Sequence, residues 1–156
     1  MVAPTVVDIP CGHYALSAID AQQAVRLVVH GRALLAVAGN VFLRAGLTVV
    51  LDPDAELDLL IGGRLETSGG LPIGSASPAR FRIWVPGPQV VVFDDRPTVG
   101  AIIHAPKAVV TAAAGLDLSG GLLAGSLLSG QMSLHYDQAV LSSGGSCGEP
   151  TATPVP

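Results

Sequence analysis

Two stretches, LLAVAGNVFLRAG (Leu34–Gly46) and LDLLIGGRLETSG (Leu57–Gly69), carry the repeat that decides the fold. At an offset of roughly 23 residues, both place a Leu, a Leu or Val, a Gly, a further Val or Leu and a closing Gly in register. FRIWVPG, from Phe81, follows LDLLIGG by roughly 24 residues, and later segments repeat at roughly 25. A period of this length, built only from short strands and tight turns, is typical of a β-solenoid.

Strand patterns fill the chain, and helix patterns are nearly absent. The strand runs are separated by about one to three residues, which is too short for crossover helices. AIDAQQAVRLV, from Ala18, is the best helix candidate, with Asp20 as its N-cap, and we expect no more than one turn there. An antiparallel β-sandwich is the alternative, but it predicts Asn-Gly or Asp-Gly hairpins, which the sequence lacks. We therefore predict an all-β parallel β-helix of about five or six coils.

The composition fits a thin apolar interior. The chain has 156 residues, of which 49% are hydrophobic, only 13% charged and only 4% aromatic. A globular domain is usually about a quarter charged, so few charges are present to cover a compact ball. The net charge is −4 and basic residues are scattered, which argues against a nucleic-acid partner. No window of about 18 uninterrupted apolar residues indicates a transmembrane segment, and no signal-peptide pattern opens the chain.

We predict three segments in this order: an N-terminal cap over 1–23, the β-helix over 24–141, and a Gly/Ser/Pro-rich tail or linker over 142–156. Cys11 and Cys147 lie near the two ends of the patterned region. Neither has a Cys or His nearby at metal-binding spacing. They are either two unrelated thiols or one disulfide that ties the ends together in an oxidising compartment, and their positions favour the disulfide.

An acidic row interrupts the apolar run LTVVLDPDAELDLLIGG (Leu47–Gly63). Its four members are Asp52, Asp54, Glu56 and Asp58. Alternation places the last three on one face of a strand, and Asp52-Pro53-Asp54 is a turn signature. Calcium would need the Gly of an EF-hand loop, which is missing. We therefore expect a turn and a solvent-exposed outer face, with Leu57, Leu59 and Ile61 pointing into the interior.

Two further groups invite a catalytic interpretation. Asp94-Asp95 is similar to the paired carboxylates of β-helix glycosidases, but the accompanying Gly-His-Gly and Arg-x-Lys motifs are absent. A charged corner is expected instead, where Arg80 and Arg82 could pair with these acids. His135-Tyr136-Asp137 lacks a Gly-x-Ser-x-Gly elbow and is expected to finish the last coil. We predict no catalytic residue, no cofactor and no metal site.

The ordered series of local patterns resembles a family of bacterial secreted β-helix domains. The matching stretches are CGHYAL (Cys11–Leu16), LLAVAGNV (Leu34–Val41), AELDLLIGGRL (Ala55–Leu65), IGSASPARFRIWV (Ile73–Val85), GAIIHAPKAVV (Gly100–Val110), GGLLAGSLL (Gly120–Leu128), LHYDQAVL (Leu134–Leu141) and Cys147. That family occurs in surface and pilus-associated proteins and is similar to the polymer-forming bactofilins. The resemblance implies a right-handed parallel β-helix, extracellular or cell-surface placement and a structural role, and it carries over no catalytic residue.

Two functions follow as hypotheses. The first is a non-catalytic structural module of a bacterial surface or extracellular assembly, with copies of itself or cell-surface proteins as partners. An exposed end of the helix would offer unpaired ladder edges to another copy and so build a filament. The second is a carbohydrate-binding or carbohydrate-active β-helix with a polysaccharide ligand. It needs a groove with clustered acids and aromatics, and the chain has only one Trp, two Tyr and three Phe.

Overall fold

The strand patterns of the sequence fold into rungs that stack in parallel along one axis. The computed structural model describes residues 3–141, which form an all-β parallel β-solenoid of about six turns. Every strand pairing in this part is parallel, so the predicted fold is confirmed and the sandwich is excluded. The strands are β1 (Thr5–Leu16), β2 (Ile19–Ala21), β3 (Val25–Val37), β4 (Val41–Leu43), β5 (Leu47–Leu51), β6 (Glu56–Ile61), β7 (Leu65–Thr67), β8 (Ile73–Ser75), β9 (Phe81–Trp84), β10 (Val90–Phe93), β11 (Thr98–Ala112), β12 (Leu116–Ser129) and β13 (Met132–Tyr136).

Each coil has three faces, which we number in chain order. Face 1 comprises 5–10, 25–30, β5, β8, 98–100, 116–119 and β13. Face 2 comprises 12–16, 32–37, β6, β9, 102–105 and 121–124. Face 3 comprises β2, β4, β7, β10, 109–112 and 126–129. Val25 pairs with Leu47 and Asp58 with Arg82, separations of 22 and 24 residues, so the repeat in the sequence is the length of one coil.

Alternation along the strands fills the lumen, the space that the three faces enclose. In β6, Leu57, Leu59 and Ile61 are buried, as the sequence predicts. The largest fully buried side chains are Phe81 and Phe93, and most of the other core residues are Val, Leu, Ile and Ala. The enclosed space is narrow, and short branched side chains fill it while standing perpendicular to the pleated rungs. This explains why the chain combines high hydrophobicity with few aromatics.

The segment from Ala18 forms no helix. It contributes β2 and the start of β3, and the carboxylate of Asp20 accepts a hydrogen bond from Nε2 of Gln22 at 2.7 Å. Within residues 3–141 the helical segments are two 3₁₀ turns, Pro78–Arg80 and Gln138–Leu141. No helix in this part of the chain is long and apolar enough to cross a membrane.

The first coil coincides with the segment that the sequence assigns to an N-terminal cap. β1 pairs with β3 along faces 1 and 2, and β2 pairs with β4 on face 3. This coil lies at the end of the stack where a cap would lie, and its capping role stays a prediction. The tail predicted over 142–156 lies outside the described residues.

Glycines permit close approach where the coils turn from face 1 to face 2. Gly74 has a φ of +118°, and a Cβ there would overlap the carbonyl oxygen of Gly100 on the next coil. Gly120 has a φ of +131° and meets the carbonyl oxygen of Ala101 in the same way. L-residues rarely adopt this backbone conformation, so both positions require glycine.

Gly74→Ala should lower the free energy of unfolding by about 2 kcal/mol, because it adds both backbone strain and a steric overlap. Gly121→Ala is the matched control, since a Cβ there would meet only Cγ2 of Ile102 at 3.9 Å. Urea unfolding followed by circular dichroism measures both variants. Equal stability of the two would contradict the close approach of these coils.

Candidate functional site

An ion-pair network on the outer side of face 2 joins β6 to β9. Arg82 donates from Nε to Oδ1 of Asp58 at 2.6 Å and from Nη2 to Oδ2 of Asp58 at 3.0 Å. The same Nη2 donates to Oε2 of Glu56 at 2.7 Å, and Nε1 of Trp84 donates to Oδ1 of Asp58 at 2.8 Å. The planar guanidinium suits this two-carboxylate geometry, which a lysine could not reproduce. We call these four residues the face-2 network.

The face-2 network is largely withdrawn from solvent. Glu56 is 3% exposed, and the side chain of Arg82 is 12% exposed. Burial raises the pKa of Asp58, but the hydrogen bonds from Arg82 and Trp84 and the charge of Arg82 outweigh it and hold that pKa below its usual value. The hydrogen bond to Asp58 in turn raises the pKa of Arg82. Asp58 and Arg82 therefore stay ionised near neutral pH and are engaged with each other.

The predicted acidic row divides between two environments. Asp52 and Asp54 are exposed at the turn between β5 and β6, and the turn that Asp52-Pro53-Asp54 predicts is present. Glu56 is buried and Asp58 is half-buried, so the expectation of a solvent-exposed face was wrong for these two residues. The physical reason is the ladder register, which places Arg82 of the next coil against them.

Arg80 fixes the same turn from the following coil. Its Nη1 donates to the carbonyl oxygens of Asp52 at 2.9 Å and Ala55 at 3.3 Å, and also to that of Pro53. These carbonyls lie where the turn leaves the ladder, so the side chain satisfies acceptors that lack a backbone partner. Arg80 and Arg82 are thus engaged with β6 and its turn, and their suggested pairing with Asp94 and Asp95 is not formed.

A second charged group crosses three coils on face 1. His30 lies between two carboxylates: its Nδ1 is 2.8 Å from Oδ2 of Asp52 and its Nε2 is 3.2 Å from Oδ1 of Asp8. Hydrogen bonds to Asp52 and Asp8 raise the pKa of His30 above its ordinary value. We call these three residues the face-1 strap.

The other predicted groups have structural surroundings. Asp95 accepts a hydrogen bond from the backbone N–H of Gly69 at 3.1 Å. His135 closes β13, with its Nε2 at 3.5 Å from Asp117 Oδ1, and Asp137 accepts a hydrogen bond from the backbone N–H of Ala139 at 3.0 Å. Cys11 lies in β1 at the register shift between residues 10 and 12, and Cys147 lies outside the described residues, so their disulfide stays a prediction.

The lumen opens at the end of the stack formed by the first coil. A cavity of about 580 Å³ there is lined almost wholly by apolar side chains, and we call it the amino-terminal mouth. Val7, Tyr14 and Leu16 point into it because they pair with the inward residues Leu27, Leu35 and Val37. Leu16 remains 44% exposed.

The opposite end also exposes lumen residues. Leu127 pairs with the buried Val110 and Leu134 with the buried Leu118, yet Leu127 is 40% exposed. Within the described residues, β13 covers face 1 of the sixth coil, while 121–129 have no strand beyond them. We call this surface the carboxyl-terminal end.

A family model described as "Domain of unknown function (DUF7305)" matches residues 5–142. The chain belongs to this family. The match begins at the first residue of β1 and spans all the coils of the DUF7305 domain. No match was found among curated proteins, and none among solved structures. The β-helix that the sequence resemblance implies is confirmed, whereas the surface placement that it implies stays a prediction.

The chemical groups of the DUF7305 domain are paired across coils. Over residues 3–141, no three His, Cys, Asp or Glu side chains are grouped so that they could hold a metal ion. The sequence analysis missed both the face-2 network and the face-1 strap. The signal was present in the repeat itself, since Asp58 and Arg82 are 24 residues apart and His30 is 22 residues from each of its two acids.

Arg82→Met should lower the free energy of unfolding of the DUF7305 domain by about 3 kcal/mol, because it leaves Glu56 and Asp58 in a low-dielectric setting without the guanidinium. Arg26→Met is the control: Arg26 is exposed on face 1, and its loss should cost no more than about 0.5 kcal/mol. Guanidinium unfolding at neutral pH measures both variants.

The deficit of Arg82→Met should also shrink in acid. The lowered pKa of Asp58 contributes stability that is present above the unfolded pKa, about 3.8, and is lost as the pH falls through the folded value. A deficit that stays constant down to pH ~2, below both values, would show that Asp58 is not the partner that matters.

Proposed function

We propose that the chain is a non-catalytic structural module that self-associates end to end in a bacterial extracellular or surface assembly. The amino-terminal mouth carries this proposal. It combines an apolar cavity with the outer edge of β1, whose only ladder partner among the described residues is β3. Unpaired strand edges beside exposed apolar side chains favour association with another chain.

The two ends are suited to each other. The carboxyl-terminal end presents apolar side chains, such as Leu127, that match the apolar lining of the mouth. All rungs run in the same direction, so a second copy placed along the axis by translation would continue the parallel ladder. Contact in this orientation would bury lumen residues at both ends, with a gain of roughly 25 cal/mol for each Å² of apolar surface.

Unequal faces favour a head-to-tail contact over a head-to-head one. In the first coil, 12–16 lie on face 2 and only Ile19–Ala21 lie on face 3. Translation places face 2 over face 2 and face 3 over face 3. A two-fold axis through face 1, perpendicular to the stack, would instead place the longer face 2 over the shorter face 3, and their inward positions would not align.

Engagement of the acids supports a non-catalytic role. Glu56 and Asp58 are held by Arg82, and a carboxylate that forms several hydrogen bonds in its ionised form is a poor proton donor at neutral pH. Extracellular placement rests on the family resemblance and on the predicted disulfide, which needs an oxidising compartment.

Leu16→Glu blocks the amino-terminal mouth and Leu127→Glu blocks the carboxyl-terminal end. Both side chains are already partly exposed, so the variants should fold. Each variant alone should associate at least about tenfold more weakly than the wild type, because a buried carboxylate costs more than about 1.4 kcal/mol. An equimolar mixture should form heterodimers that grow no further, since one end of each variant is intact. Sedimentation velocity and electron microscopy measure the species.

Val90→Glu, on the outer side of face 3, is the control and should leave assembly unchanged. Dimers formed by Leu127→Glu alone would indicate a head-to-head contact. Monomers of the wild type at all concentrations would refute end-to-end association.

A second candidate function is polysaccharide binding, which the surroundings of Trp84 favour. A shallow depression of about 480 Å³ on face 2 brings Trp84 together with Asp58, Arg82 and Arg32. Trp84 also packs against His104, with ring centroids 4.6 Å apart. Aromatic rings beside charged hydrogen-bonding groups are suited to sugar rings.

Native affinity electrophoresis in gels containing neutral or acidic polysaccharides tests this second candidate. We expect a retarded wild type, no retardation of Trp84→Ala, and partial retardation of Trp84→Phe, which keeps a ring but loses the indole N–H. An unretarded wild type in every gel would reject polysaccharide binding.

A further inference from the structure

We infer that the face-1 strap is a pH-dependent lock that holds the first coil, and with it the amino-terminal mouth, onto the stack. Asp8 belongs to the first coil, His30 to the second and Asp52 to the third. The three side chains therefore tie together the coils on which the mouth is built. The inference rests on the proposed function, in which the mouth receives another copy.

The geometry of the strap requires an imidazolium. Each ring nitrogen of His30 faces a carboxylate oxygen, at 2.8 Å and 3.2 Å. Ionised carboxylates only accept hydrogen bonds, and a neutral imidazole has a single N–H. Both contacts are hydrogen bonds only when both nitrogens carry a proton. Loss of that proton removes one bond and places a lone pair against a carboxylate.

The direction of the pH effect follows from the pKa of His30. That pKa is raised in the folded state by hydrogen bonds to Asp52 and Asp8. The strap therefore contributes fully below the unfolded value, about 6.5, and its contribution is lost as the pH rises through the folded value. The lock is closed in mild acid and opens in mild alkali.

The charged groups around His30 are few. Asp8 faces it from β1, and Asp52 faces it from the end of β5. Arg80, in the 3₁₀ turn, reaches the same corner but donates to backbone carbonyls there. On β3 itself, Arg26 and Arg32 are the nearest charged residues along the chain.

The first coil is the element on which such a lock would act. β1 is held by ladder hydrogen bonds on one side only, through β3, and several of its inward side chains are partly exposed. Elements with few buried contacts open most readily, so a small change at His30 alters the population of the closed coil. A closed coil presents an ordered edge and mouth, and an open one presents neither.

The test uses the full chain, the variant His30→Gln and the variant Asp8→Asn. Imidazole NMR should show His30 titrating above about 6.5, and Asp8→Asn should lower that value. Amide exchange of residues 5–16, corrected for intrinsic rates, should be about two- to fivefold less protected at pH ~8 than at pH ~5.5, with β6 as the internal reference. His30→Gln should abolish this difference, since glutamine does not titrate. Sedimentation should show weaker wild-type association at the higher pH.

The outcomes separate the two ideas. An ordinary pKa for His30, or an unchanged pH dependence of exchange in His30→Gln, would overturn the lock even if the chain assembles. A raised pKa with pH-dependent exchange, in a chain that is monomeric at both pH values, would support the lock and reject the proposed assembly.

Discussion

The parallel ladder between successive coils is the constraint on which the rest of the structure depends. It fixes the spacing of the rungs and the direction of every strand, and it places each inward side chain directly over the one in the coil before. Apolar residues consequently form continuous columns along the axis. The same rule acts on the outer side, where Asp58 lies against Arg82 and Asp8 lies near His30.

The outer columns explain how a chain with so few charges places them. Arg82 satisfies two carboxylates and Arg80 satisfies three carbonyls, and both arginines come from the coil that follows their partners. An interior pair of this kind is costly to break, because the remaining charge stays poorly solvated. The arginines therefore connect neighbouring coils and fix their relative position, in addition to the backbone hydrogen bonds.

The sides of the solenoid and its ends differ in one respect. Along the sides, each rung has a neighbour above and below, and the lumen residues are covered. At the described ends, the ladder and the apolar columns stop with their edges exposed, so the surfaces that remain unsatisfied are those that another coil would satisfy. A repeating fold thus concentrates its capacity for association at its ends, which is why self-association is the function that the geometry favours.

Much of the fold could be predicted from the sequence, because the coil period, the strand runs and the inward residues Leu57, Leu59 and Ile61 are local periodicities. The fate of the outer charges could not. Coil length varies between 22 and 24 residues across paired positions, and a slip of a single residue would move a side chain to the other side of its strand. The sequence by itself determined a stack of apolar coils. Only the tertiary structure decided that Glu56 and Asp58 meet Arg82, and that His30 meets two acids, because register between coils is set by the packing of the whole lumen.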